Sequence, residues 1–185
     1  NSKRFCNTAI SFDPTKNLNN YGSGGMLLTD SDYLASLLRD FRNNGKESGH
    51  EIAGTNSKMS EVDCAQMRIK LKYFDEWQLR RAEIAEYYMN TFGSYVDLLP
   101  ITDGTEHAWS KFAFRMSSRS GFRTHMHSLG VPTKIHYERP LYDEVCGRHL
   151  LDPVIGTRWE AHHFTRETVS IPIYPELTDS EVEHI

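Results

Sequence analysis

Apolar and polar residues alternate along this chain in two periods, and the balance between them changes partway. Residues 8–12 (TAISF) form a short apolar run that reads as a buried strand, and residues 25–30 (GMLLTD) read as a short apolar strand. Between them DPTKNLNNYGSGG is a loop by its Asn, Gly, Pro and Asp content. Leu34, Leu37, Leu38 and Phe41 then recur at helical spacing, behind Asp30 and Ser31, either of which can cap a helix. A polar, glycine-bearing loop follows over 43–58, longer than a plain connection needs. Ser60 with Asp63 opens the longest predicted helix, 60–92, with an apolar stripe through Val62, Ala65, Ile69, Phe74, Trp77, Ile84 and Tyr88.

A link bearing Pro, Asp and Gly places a domain boundary near 93–106. Past it the pattern is α+β. Residues 111–116 (KFAFRM) alternate as a half-buried strand does, 120–130 form a short helix closed by Gly130, and 132–137 (PTKIHY) read as another strand. An irregular stretch with Pro140 and Pro153 leads to a helix near 156–166, and VSIPIYPEL supplies a short strand. Thr178 and Glu181 make a capping box for a helix that has only begun when the sequence stops at Ile185. A chain that opens on a core strand and closes in a helix's first turns reads as excised from something longer.

Composition narrows the class. At 185 residues the chain is one domain or one and a half, and 38% hydrophobic with 25% charged residues excludes a disordered or low-complexity protein. No apolar run approaches the roughly 20 residues of a membrane helix. Lys plus Arg number 21 against 25 Asp plus Glu, so no basic field recruits nucleic acid. Lys70, Lys72, Arg80 and Arg81 interleave with Asp75, Glu76, Glu83 and Glu86, which reads as a solvated helix face. Cys6, Cys64 and Cys146 are too few and too scattered for a disulfide framework, which fits a cytoplasmic setting. Cys64 reads as a small buried hydrophobe, and Trp77, Tyr87 and Tyr88 as core or dimer contacts. His125 and His127 diverge on a helix, as do His162 and His163, and no ligand-spaced pair exists, so no metal site is expected.

The candidate chemistry centres on Lys16. It follows a strand within a few residues, beside the hydroxyls of Ser11 and Thr15 and ahead of a glycine cluster. It is either a solvated surface lysine or an amine held in a partly buried pocket, where desolvation frees it to attack an aldehyde.

The surrounding words are SFDPTKNLNNYGSGGMLLTDSD, GTNSKMSEVDCAQMRIKLKYFDEWQLRRAEIAEYY, KIHYERPLYDE and SIPIYPELTDSEV, in that order. Together, from Ala9 to Ile185, they resemble the DegT/StrS family of pyridoxal-phosphate sugar aminotransferases. The resemblance implies an α/β fold. It would be part of a fold type I (aspartate aminotransferase-like) large domain over 1–92, ending in a long interdomain helix, followed by a small α+β domain over 93–185. By resemblance, Lys16 forms the Schiff base with pyridoxal 5'-phosphate and moves the proton. Ser11 binds the cofactor phosphate, and Asn56 reaches it across a homodimer interface. His136 and Tyr137 lie where such enzymes hold the nucleotide-linked keto-sugar. Glutamate is the expected amino donor, and the products of such enzymes feed lipopolysaccharide, glycan or antibiotic pathways.

The sequence departs from the family at Lys58, where Arg is usual, and at Tyr142 in the word after His-Tyr. Only 15 residues precede Lys16, so the family's upstream aspartate for the pyridine nitrogen has no counterpart, and these residues alone are expected to transaminate poorly or not at all. Two other readings share the scaffold. One is a dehydratase lacking the Schiff-base lysine, against which Lys16 argues. The other is a non-catalytic partner or regulatory subunit.

Overall fold

A computed structural model describes residues 7–145 and 159–185. Cys6, Cys146, Pro153 and the expected helix start at 156–158 lie outside the described residues. The chain divides into two compact units, one up to Asp75 and one from Glu76.

In the first unit β1 (Thr8–Ser11) pairs antiparallel with β2 (Gly25–Leu28), with Ala9 opposite Leu27 and Ile10 opposite Met26. Gly25 stands where any Cβ would press on the Ile10 carbonyl, so the pair closes tightly only around glycine. Both strands are exposed along their whole length, β1 against the expectation of a buried strand, because among the described residues the sheet has these two strands alone. Helix α1 (Asp32–Phe41) starts at Ser31, whose hydroxyl accepts from Leu34 N–H, and α2 (Glu61–Lys70) starts at Ser60, which accepts from Asp63 N–H.

The single helix expected over 60–92 is two. After Lys70 the backbone tightens into short-range turns (Lys72 N–H to Ile69 O, Tyr73 N–H to Lys70 O), and α3 (Phe74–Phe92) begins afresh. The periodicity gives no warning, because no Gly or Pro marks the break and the apolar stripe runs through it. The stripe nevertheless divides its work. Met67 is buried in the first unit, while Ile84, Ala85 and Tyr88 of α3 join the core of the second, and Val62 and Ile69 are left exposed. Cys64 on α2 is exposed rather than buried.

The second unit is a three-stranded antiparallel sheet, in the order β3 (Asp97–Leu98), β4 (Phe112–Arg115), β5 (Thr168–Ile171). Phe112 and Phe114 of β4 turn inward with Val169 and Ile171 of β5, against α3 and against Met126 of α4 (Arg119–Ser128). Tyr88 meets Phe112 edge-on at 5.1 Å, and Phe92, Phe114, Phe122 and Trp109 extend the aromatic cluster. Gly130 ends α4's turn at φ +77°, as the sequence predicts. Residues 132–137 supply only one bridge, Lys134 to Ser170, not the expected strand. Helix α5 (Trp159–Glu167) precedes β5, and α6 (Asp179–His184) opens with the Thr178–Glu181 capping box. Arg80 and Arg81 are not a solvated face. Arg81 is buried, donating to Ile173 O at 2.7 Å, and Arg80 binds Leu177 O and Asp179.

Candidate active site

The loop after β1 carries the candidate amine. Phe12 is buried and its backbone bonds Gly24 O and Asn20 N–H, both at 2.9 Å, so the glycine-rich return folds back onto the strand's end. Ser11 lies one residue before, where its Oγ accepts from Asp13 N–H at 3.3 Å, leaving its own O–H to donate. Lys16 N–H closes the turn onto Asp13 O at 2.9 Å. Thr15, by its hydroxyl first and its N–H second, holds the Asp13 carboxyl below the usual carboxylate range, and Lys16 adds to that. Lys16 itself is exposed among the described residues.

Asn56 sits on the 43–58 loop, exposed, in a bridge to Asn43. The sequence gives no hint of what orders this loop. Asp40, 4% exposed at the end of α1, gathers it: its Oδ1 accepts Glu47 N–H at 2.8 Å, and its carbonyl accepts from Asn43 and Gly45. The Ser48 hydroxyl, then the Glu47 and Ser48 amides, hold the Asp40 carboxyl below its ordinary value. Gly45, at φ +72°, lies so close to Ile52 that a side chain would strike its carbonyl. Lys58 Nζ donates to Asn43 Oδ1 at 2.9 Å and so braces the same bridge.

In the second unit His136 is half-buried, with Nδ1 2.9 Å from Ser170 Oγ and Tyr137 exposed beside it. Burial, then Lys111 and Lys134, push His136 below its ordinary pKa, which keeps it neutral near pH 7. Ser11, Lys16 and Asn56 belong to the first unit, His136 and Tyr137 to the second.

An open apolar cleft of about 880 Å³ also lies in the first unit, between β1–β2 and the two helices, with Arg39, Arg42, Lys58 and Arg68 among its lining residues. Ser11, Lys16 and Asn56 do not line it. Among the described residues no group of three His, Cys, Asp or Glu side chains could hold a metal, and no helix is long and apolar enough to cross a membrane.

The arrangement therefore sets an amine and a hydroxyl donor five residues apart on one braced turn, and an amide on a second braced loop of the same unit. That donor set suits a ligand carrying an aldehyde and a phosphate. Residues 5–185 match the DegT/DnrJ/EryC1/StrS aminotransferase family, and the chain belongs to it. It is 33% identical over 181 residues to the erythromycin biosynthesis sensory transduction protein EryC1 of Saccharopolyspora erythraea, covering 96% of this chain and 49% of that protein. It is 35% identical over 173 residues to the dTDP-3-amino-3,4,6-trideoxy-alpha-D-glucose transaminase of Streptomyces venezuelae, covering 91% and 45%. The crystal structure of S. venezuelae DesV in complex with a ketimine intermediate superposes with a TM-score of 0.89 at 32% identity, covering 96% of this chain and 48% of that one. The chain spans about half the length of the curated relatives it matches. Its fold is accordingly a part of the fold type I aminotransferase fold, as the sequence implied.

Proposed function

We propose that the chain is the Lys16-bearing portion of a pyridoxal-phosphate-dependent aminotransferase that transfers an amino group from an amino acid, glutamate first among the candidates, to a nucleotide-linked keto-sugar. Family membership over residues 5–185, with Lys16 and Ser11 on one braced turn, carries this reading. Residues 1–92 contribute to the cofactor-binding large domain and 93–185 form the small domain, α3 making its buried contacts in the second compact unit.

When bound, pyridoxal phosphate supplies the electron sink for breaking a bond at the amino donor's α-carbon. Lys16 Nζ would hold the cofactor through its aldehyde carbon, the aldehyde oxygen leaving as water, and the same amine, when free, would be the base that carries a proton from the donor's α-carbon. Its exposed position leaves it room for both tasks. Ser11 O–H donates to the phosphate, and the Asn56 amide donates from the second subunit of a homodimer. His136 and Tyr137 border the sugar nucleotide, with His136 held neutral. The remaining contacts of the cofactor come from the rest of a longer cytoplasmic polypeptide, so residues 1–185 alone are inactive, and the products are amino sugars for surface glycans.

A second reading, a regulatory or partner subunit on the same scaffold, draws support from the name of EryC1, a sensory transduction protein, and from the family departures at Lys58 and Tyr142. Visible absorbance separates the two. The full-length protein with added pyridoxal phosphate shows a band of lysine-bound cofactor that glutamate bleaches if it is an enzyme. A regulator shows no bleaching.

A further inference from the structure

The loop that carries Lys16 is braced within itself and is also held from helix α2, at both ends of the helix. Asn20, 1% exposed, donates from Nδ2 to Asp63 Oδ1 at 2.9 Å, in α2's first turn. Ser60 Oγ donates to the other carboxylate oxygen of Asp63 at 2.7 Å, and Asp63 N–H returns a bond to Ser60. The Asp63 carboxyl is held below its ordinary range by the Ser60 hydroxyl first and the Asn20 amide second, so it meets Asn20 as a full acceptor. At α2's last residue Lys70 Nζ donates to Asn19 O at 2.8 Å and to Asn19 Oδ1 at 2.5 Å, and lies 4.7 Å from the centre of the Tyr21 ring. Three consecutive loop residues are thus gripped from α2, and the grip passes on through Asn20 N–H to Phe12 O, one residue after Ser11 and four before Lys16.

Asn20 is a costly way to fill this space. Among the described residues its buried Oδ1 has no hydrogen-bond partner, and a buried polar group half satisfied is less stable than an apolar one of similar shape. Such local penalties concentrate where function requires a fixed geometry. We infer that Asn20, with Asp63, is a positioning residue for the Lys16 amine. The pair sets the register of the loop on α2, so that Nζ meets the cofactor aldehyde and Ser11 meets the phosphate together. The inference rests on the assignment of Lys16 above, and it goes beyond that assignment in naming what aims the amine.

The test uses full-length apoprotein, pyridoxal phosphate as the probe, and borohydride reduction to trap the lysine adduct, located and timed by peptide mass spectrometry. Asn20→Leu keeps the branched shape and removes the hydrogen bond. It is expected to melt at or above the wild-type temperature while trapping at Lys16 slows about tenfold, the scale of one lost orienting bond. Asp63→Ala cuts the same bond from the helix side and is expected to slow trapping likewise. Asp63→Asn keeps an acceptor and stays near wild type. Wild-type trapping rates in both Asn20→Leu and Asp63→Ala overturn the inference and leave Lys16 standing. Absence of label on Lys16 in the wild-type protein overturns the assignment of Lys16 itself, and this inference with it.

Discussion

Asp40 shows how one residue helps to order a loop. Its carboxylate accepts Glu47 N–H and its carbonyl accepts from Asn43 and Gly45, beside the bonds that the 43–58 backbone makes with itself, and Asn56 is carried on the same loop. The carboxyl's pKa is lowered in the folded state, so the unfolded chain binds its proton more readily. The stability it contributes is therefore complete above the unfolded value of about 3.9 and is lost as pH falls through the lower folded value. Asp40→Ala is expected to raise protease cleavage within 43–58 at pH 7, and the difference from wild type is expected to shrink below about pH 4. A difference that persists unchanged at acid pH would mean that Asp40 acts by packing rather than charge. The roles of Asp40 and Asn20 are not legible in the sequence, because a polar residue carries no mark of burial. Asp63 is legible as the capping partner of Ser60 but not as the partner of Asn20, whereas Lys16 and Ser11 stand in a word with a recognisable order.

Among the elements, those with a chemical start or stop were the legible ones. Ser31, Ser60 and Thr178 cap helices where expected, and Gly130 closes α4. Thr178→Ala removes the hydroxyl that accepts Glu181 N–H, and is expected to cost about 1 kcal/mol, read as a lower urea midpoint in the full-length protein. An unchanged midpoint would show that α6 is held by its other contacts, among them buried Val182, the Arg80–Asp179 pair and the bond between His184 and Leu129 O. Elements defined by partners were not legible. The turn after Lys70 interrupts a continuous apolar stripe because the two helices bury into different cores. Residues 132–137 have strand character but gain only a single bridge to β5. Arg81 looks like a surface charge until the carbonyls of Trp109 and Ile173 are seen to enclose it.

At the scale of the molecule, the two units are unequal in what they cover. The second buries a continuous aromatic core, while the first presents Ile10, Met26, Leu27 and Leu28 on two strands with no exposed residue of theirs below 37% exposure. Apolar strands left open pair with whatever they meet. Residues 1–185 expressed alone are expected to self-associate on size-exclusion chromatography, and Leu27→Lys to reduce it. A clean monomer would contradict the view that these strands belong under further structure. Whether Lys16 is the amine that holds pyridoxal phosphate is read from the visible spectrum of the full-length protein with added pyridoxal phosphate, beside Lys16→Ala. A band that glutamate bleaches is expected in the wild type and is expected to be missing from the variant, with both proteins equally folded because Lys16 is exposed. The same band in both proteins, or in neither, would overturn the assignment.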